Sequence, residues 1–550
     1  MAAAMIRLSK AYVNRAESQM KHAGPLHTGA AAAILVYVPS HTRPELAVMP
    51  EYLFPHYSLP DACAEDLRRQ NPWWLGAPSV PPPAFRRWPF AKLLARLKEP
   101  IAPILVIRGS RQVGKTTLQH QVIQQLIDEG VSPRRILRIQ FDDLPSLGMI
   151  GADAEPILRI ADWYEESILG RHLNEAARAG EPAFLFLDEV QNLKSWDAQM
   201  KSLVDHAAIR ALVTGSSALR IERGRDSLAG RIQTLEVGPL RLAEIAALRG
   251  FGALEPAQRE NGWAEWLDPA FWVSLRESSV RQKASRDLAF AAFSQRGAYP
   301  FAQKLASIPW PEIAEHLNET VIRRVIQHDL RIGEVGRKRD PQLLEEVFRM
   351  ACRYLGQAPN PATLAEEARL QLGANVGSQR VRHYLEFLDT SLLVRMIAPL
   401  EIRLKRRKGY PKLCLCDHAL RAAWLQEVIP IEAAELDRQP HLHALAGRVA
   451  ESVAGYYLAS LMGLEVAHAP ARGGEPEVDF VLTIGEKRIP VEVKYQRIID
   501  PLRDTLGLRV FLERAANNAP FGLLVTRDDD TTVADPRIIC LPLKSLLMVR

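Results

Sequence analysis

Eight consecutive residues, Gly109-Ser-Arg-Gln-Val-Gly114-Lys115-Thr116, place two glycines, a lysine and a hydroxyl at a spacing suited to a polyphosphate. A turn of this kind aims backbone N–H groups and a helix N-terminus at phosphate oxygens. Gly109, Gln112, Val113, Gly114 and Thr117 shape the turn and its exit, Lys115 reaches the β- and γ-phosphates, and Thr116 ligates Mg²⁺. A second candidate is Phe184-Leu-Phe-Leu-Asp188-Glu189, four apolar residues ending in two acids. Asp188 is placed to hold Mg²⁺ through water and Glu189 to polarise an attacking water; the plainer alternative is a pair that caps the next segment. A third is Val213-Thr214-Gly-Ser216-Ser217, where a hydroxyl can sense the γ-phosphate. Thr214, Ser216 and Ser217 all qualify, and Ser216 is preferred.

These residues need elements to hold them. PILVIR (103–108), RILRIQF (135–141), AFLFLDE (183–189) and IRALVTGS (209–216) are short continuous apolar runs, as expected of strands buried on both faces of a parallel sheet. Between the first two lies TTLQHQVIQQLIDEG, with Leu118, Val122 and Leu126 four apart and Gly130 as a helix stop. The pattern predicts an α/β three-layer sandwich.

The 550 residues suggest three to five domains, and 47% hydrophobic with 24% charged residues is ordinary globular composition. The boundaries expected are 1–95 for an N-terminal extension with a proline-rich connector, 96–240 for the phosphate-binding core, 241–345 for a helical lid, 346–425 for a winged-helix region and 426–550 for a last α/β domain. NPWWLGAPSVPPP (71–83) is expected to be stiff and extended. No apolar run near the start is long enough to span a bilayer and no secretory signal opens the chain, so no membrane partner is expected. Cys63, Cys352, Cys414, Cys416 and Cys540 are too scattered for a zinc site or a disulfide framework, which fits a reducing cytoplasm. A net charge of +6 leans toward an anionic partner without identifying one.

Taken together, GSRQVGKTT, FLFLDEVQNLKSW, TGSSA and LAGR resemble the AAA+ superfamily. More narrowly, with RGAYP (296–300), PKLCLCDHAL (411–420), GRVAESVAGYYL, EVDF and VEVKY, the chain resembles bacterial and archaeal AAA ATPases that carry a C-terminal nuclease-like domain of unknown function. The resemblance spans about 70–550. Ser110 stands where that family usually has proline, and Arg296-Gly297-Ala298 replaces a double glycine; residues 1–70 match no pattern. The resemblance implies ATP hydrolysis with Mg²⁺ and self-association into a ring, with a hexamer as the expected size. It also implies an arginine acting on the neighbouring subunit's nucleotide, for which Arg231 is preferred and Arg223 and Arg225 compete.

PEVDFVLTIGEKRIPVEVKY (476–495) reads as a hairpin turning at Gly485-Glu486. Ile484 then opposes Lys487, Leu482 opposes Ile489, Phe480 opposes Val491, and Asp479 falls opposite Glu492 with Lys494 on the same face. Opposed like charges cost a strand pair roughly 0.2–1 kcal/mol, which suggests a cation between them. The arrangement resembles the PD-(D/E)XK nuclease core, and Glu451 matches that fold's additional helical acid. This implies a second Mg²⁺ or Mn²⁺ held by Glu451, Asp479 and Glu492 beside Lys494. Three readings stay open: an active nuclease, an inactive DNA-binding fold, and an unrelated hairpin. Pro490, which donates no ladder hydrogen bond, is a candidate for a bulge that shifts the register.

In GSQRVRHYLEFL, Arg380, Arg382 and His383 precede an apolar stretch, as in a recognition helix. Arg403, Lys405, Arg406, Arg407 and Lys408 follow as a basic cluster suited to DNA phosphates, or as a solvated loop. The fold class expected is therefore an AAA+ P-loop three-layer sandwich with a helical lid, a winged helix-turn-helix and a C-terminal restriction-endonuclease-like α/β domain. The function expected is an ATP-driven oligomer that binds and remodels double-stranded or branched DNA, such as a Holliday junction. The alternatives are an ATP-powered metal-dependent nuclease and a nucleotide-gated switch acting on a protein.

Overall fold

The computed structural model describes residues 59–76, 80–150, 155–215, 227–257, 262–329, 340–402, 405–406 and 408–550. Ser216, Ser217, Arg223, Arg225, Arg403 and Arg407, singled out above, lie outside the described residues, as do the side chains of Lys405 and Arg406.

Five apolar runs form one parallel sheet: β1 (Ile104–Arg108), β2 (Ile136–Gln140), β3 (Ala183–Asp188), β4 (Ile209–Gly215) and β5 (Ile232–Glu236). Their order is β2-β3-β4-β1-β5. Every residue of β3 is buried, as its unbroken apolar run requires. Alternate residues feed two cores. Leu105, Ile107, Phe184, Phe186 and Leu212 face α1 (Lys115–Asp128), while Val106, Leu185, Leu187 and Val213 face Tyr164, Trp196 and Met200. Because β4 is inserted between β1 and β3, the turns after β1, β3 and β4 converge at one edge of the sheet, where parallel sheets bind ligands.

Part of the stretch expected as an extended connector is helical. Pro72–Leu75 forms a 3₁₀ turn, preceded by a helix over Asp61–Gln70. Side-chain amides there serve the open edge of β2. Asn71 donates to the Arg138 carbonyl (2.8 Å) and accepts from its N–H (2.6 Å), and Gln140 N–H donates to Gln70 (2.8 Å). Pairing of this kind satisfies an edge that would otherwise template aggregation.

The segment expected as a lid places Trp266 and Trp272, both fully buried, in the same core as the C-terminal sheet. The two rings meet edge to face at 4.7 Å, and Trp272 Nε1 donates to the Trp266 carbonyl (2.9 Å). The segment whose role the tryptophan pattern left unassigned is thus a packing element.

Next come α2 (Pro341–Arg353), α3 (Pro361–Leu372) and α4 (Ser378–Thr390). Asp340 and Asn360 cap the first two, each followed by proline at the first helical position. Strand β6 (Val394–Ile397) follows, then a small ribbon of β7 (Glu401–Ile402) and β8 (Lys405–Arg406), and β9 (Lys412–Leu415), which pairs antiparallel with β6.

The last sheet follows α5 (His443–Ala459) and comprises β10 (Glu465–Ala469), β11 (Val478–Ile484), β12 (Lys487–Lys494), β13 (Gly522–Thr526) and β14 (Ile538–Pro542) in sequence order. The first three are antiparallel and the last three parallel, the change being made by the crossover helix α6 (Leu506–Glu513) between β12 and β13. The hairpin register is Phe480 to Val491, Leu482 to Ile489 and Ile484 to Lys487, with Pro490 opposite Val481 and no bulge. Gly485 alone of the two turn residues has positive φ (60°), as a turn with glycine first requires. Among the described residues no helix is long and apolar enough to cross a membrane.

Candidate functional site

The glycine-rich turn runs from the end of β1 into α1. A Cβ on Gly109 would meet the Val237 carbonyl oxygen at 2.4 Å, so this close approach of two backbones tolerates only glycine. Lys115 is buried and its Nζ donates to the carbonyls of Gly109 and Ser110 at 2.9 Å each. Gln112 holds positive φ (62°) inside the turn.

Thr116 Oγ1 donates to Asp188 Oδ2 at 2.8 Å, which brings the hydroxyl and the carboxylate expected to serve one Mg²⁺ into contact. Mg²⁺ takes one or two protein oxygens with waters and substrate phosphates, and this donor pair fits that demand. Thr214 Oγ1, at the end of β4, donates to the other oxygen of Asp188. Thr214 is therefore the hydroxyl of its trio that the described residues join to the acid. Glu189, next in the chain, has positive φ (52°) and is only half-buried. Strain of that kind is concentrated at functional sites, and here it turns consecutive carboxylates to different surroundings.

Three residues of this neighbourhood carry no motif. Arg138 on β2 is buried with Nη2 at 3.6 Å from Asp188. Burial and the Arg138 charge push the His120 imidazole down to about 4, against the pull of Asp188, so it is neutral at neutral pH. Arg87 spends all five of its donors, on Val113 O (2.7 Å), Gly238 O (2.9 Å), Pro239 O (3.0 Å) and both oxygens of Glu244 (3.0 and 2.9 Å). Burial raises the Glu244 carboxyl, but Arg87 overcomes it and holds the group below its ordinary value. Arginine before a hydrophobic helix is a common pattern, so only its burial could have revealed the role.

Arg231 lies at the other edge of the sheet. Its carbonyl accepts from Ile104 N–H at the start of β1, roughly 15 Å of strand rise from the phosphate turn. Its guanidinium pairs with Asp205 (2.5 and 3.0 Å). It has no part in its own chain's phosphate site.

A contact chain leads from the phosphate turn into the C-terminal half. Tyr299, fully buried, sets its hydroxyl 3.5 Å from Ser110 Oγ and 3.7 Å from Cys416 Sγ, just beyond β9. At the other end of β9 is Lys412, with 2% of its side chain exposed. Its Nζ lies 2.5 Å from Glu451, 3.0 Å from Glu477 and 3.1 Å from Asp479.

The second-metal expectation falls on this cluster. Glu451 and Asp479 do converge, with the Lys412 ammonium between them, and among the described residues no group of three acids, histidines or cysteines is placed to hold a metal ion. Burial tends to lower the Lys412 pKa, but Asp479, Glu451 and Glu477 raise it well above the usual value. Asp479 also accepts from Val493 N–H (2.9 Å), and Lys412 with that bond keeps it ionised against burial. Glu492 is bonded to Lys494 (2.6 Å), while its Oε2 is buried with no hydrogen-bond partner among the described residues. Burial and Asp479 push its carboxyl up to about 8, against Lys494.

The basic residues are exposed but not idle. Arg380 and Arg382 stand in the first two turns of α4, facing Asp340 (3.6 Å) and Glu386 (3.1 Å). Lys408 is exposed and lines the cleft beside Asp479.

Residues 102–246 match the family model described as AAA domain, and residues 293–428 match a domain of unknown function (DUF8612). The first sheet with its phosphate turn thus falls within the part of the chain that is similar to the AAA domain. An uncharacterized protein of Methanocaldococcus jannaschii is 25% identical over 383 residues, 69% of this chain and 72% of its own length. Uncharacterized proteins of Mycobacterium bovis and Mycobacterium tuberculosis are each 23% identical over 357 residues, 64% of this chain and 62% of theirs. The chain therefore spans less than two thirds of the mycobacterial relatives' length. Among solved structures, the Saccharomyces cerevisiae Hsp104–ADP complex aligns at 15% identity and TM-score 0.25, over 55% of this chain and 38% of that one. Domain III of the Thermotoga maritima replication initiation protein DnaA aligns at 13% identity and TM-score 0.21, over 48% and 98%.

Proposed function

We propose that this protein is an ATP-hydrolysing AAA+ machine that works as an oligomer and binds and remodels DNA, branched DNA above all. The single observation that carries the ATPase part is the Thr116–Asp188 contact at 2.8 Å beside the Lys115 turn. Lys115 neutralises the β- and γ-phosphates, and Thr116 with Asp188 would hold Mg²⁺. The metal would supply charge neutralisation on the phosphate oxygens. Glu189 accepts the proton of the attacking water, and Thr214, tied to Asp188, keeps that carboxylate oriented. Arg231, remote from its own site, serves the neighbouring subunit's nucleotide in this reading, which needs a ring, a hexamer in the simplest case.

The DNA part rests on topology and charge. Three helices followed by a small antiparallel ribbon are the parts of a winged helix-turn-helix, and Arg380, Arg382 and Lys408 are exposed on it. A helix, three antiparallel strands, a crossover helix and two parallel strands are the parts of a restriction-endonuclease-like domain. The lysine in its acid cluster favours an inactive, DNA-holding version over a cutter.

The test is ATP turnover by the full chain with and without a four-way DNA junction, across a salt series. Turnover should rise severalfold with the junction, and the rise should fade steeply with salt because phosphate contacts release counterions. It should shrink in Arg380→Ala/Arg382→Ala. Turnover indifferent to every DNA would remove the DNA part and favour a nucleotide-gated switch.

A further inference from the structure

The hairpin acids, the helix acid and Lys412 come from four separate elements, β11, β12, α5 and β9. Glu451, Glu477 and Asp479 line an open cleft of about 980 Å³ together with Arg448, His468 and Lys494, and Lys412 is buried against these acids. We infer that the Lys412 ammonium is the resident cation of this acid cluster, so that the C-terminal cleft works without a divalent metal.

Three observations carry the inference. The position a metal would share between Glu451 and Asp479 is taken by Nζ, at 2.5 and 3.1 Å, with Glu477 adding a third oxygen at 3.0 Å. Three ammonium protons meet three carboxylate groups, which exhausts the donor's capacity. The lysine is held: its stem lies in β9, whose Leu415 N–H donates to Ser452 Oγ of α5 (2.9 Å), and its ammonium sits 5.2 Å from the Phe480 ring. Finally, the Glu492 carboxylate already has an ammonium of its own, accepting from Lys494 Nζ at 2.6 Å.

Lys412 supplies the positive charge that the buried Asp479 carboxylate needs, and removing Lys412 would leave that carboxylate without its cation, a state that recruits another cation or a proton. Lys412→Met keeps the stem's length and removes the charge.

The experiment is Mn²⁺ binding to the nucleotide-free full chain, read by electron paramagnetic resonance as the loss of free-ion signal. Each protein is paired with its Asp479→Asn derivative, so that only binding at this cleft is counted, apart from the phosphate turn. The wild type should show no Asp479-dependent binding at 1 mM-scale metal, on the order of ordinary weak carboxylate sites. Lys412→Met should gain about one Asp479-dependent equivalent. Asp479-dependent Mn²⁺ binding by the wild type would overturn the inference, and so would a folded Lys412→Met that gains none. If Lys412→Met does not fold, the wild-type pair decides alone. The result is independent of ATP hydrolysis and of DNA binding, so it stands or falls apart from the function proposed above.

Discussion

Arg87 donates to the Val113 carbonyl at 2.7 Å, and with the same guanidinium grips Glu244, so the segment before the first strand clamps the phosphate turn to the helix Leu242–Arg249 that follows β5. Both partners are buried, with 5% and 7% of their side chains exposed. Cutting Arg87 to alanine leaves the Glu244 carboxylate desolvated without its cation. Breaking a buried pair this way costs about 3–5 kcal/mol. Arg87→Ala should lower the urea midpoint accordingly and weaken ATP binding, while Arg87/Glu244 replaced together by a leucine and a methionine should recover much of the stability and none of the nucleotide affinity.

Asp188 receives two hydroxyls, from Thr116 and Thr214, and stands beside Arg138. Asp188→Asn keeps the shape and removes the charge. Nucleotide affinity in the absence of Mg²⁺ should change little, while steady-state turnover with Mg²⁺ should fall about 10²–10³-fold, the scale of a metal's charge stabilisation. Isothermal titration with and without Mg²⁺, beside a turnover assay, separates the two.

The Glu492 carboxyl gives the C-terminal half a pH signature. Its folded pKa, pushed up to about 8, exceeds its ordinary 4.5, so between those values the folded state binds more protons than the unfolded one. Stability contributed by the protonated group is full below about 4.5 and is lost as pH rises through about 8. Glu492→Gln fixes the neutral form. The melting temperature of the variant minus that of the wild type should therefore grow between pH 5 and pH 8, measured by scanning calorimetry, and a difference that shrinks with pH would contradict this sign.

Much of the first sheet could be read from the chain because its signals are contiguous: apolar run, glycine turn, lysine, helix. The hairpin register was equally legible, since a two-residue turn at Gly485-Glu486 sets Phe480 against Val491, and Pro490 did not disturb it. What escaped were partners brought from far away. Arg87 reaches Glu244, 157 residues on, and Lys412 reaches Asp479, 67 residues on. Neither has a local pattern, because a charged residue in a strand or before a helix reads as solvated until burial says otherwise. The ammonium beside Asp479 was hidden for the same reason: the hairpin acids can be read locally, whereas the lysine that meets one of them comes from β9. Asn71 and Gln70, which close the β2 edge, were hidden in a proline-rich stretch that reads as a connector.

The most direct test of the account is ATP hydrolysis by the full chain in three forms: wild type, Lys115→Ala and Glu189→Gln. The wild type should hydrolyse ATP with Mg²⁺. Lys115→Ala should lose both binding and turnover. Glu189→Gln should still bind ATP while turnover falls about 10²–10⁴-fold, the contribution of a positioned general base. Turnover equal in all three would contradict the assignment of this site.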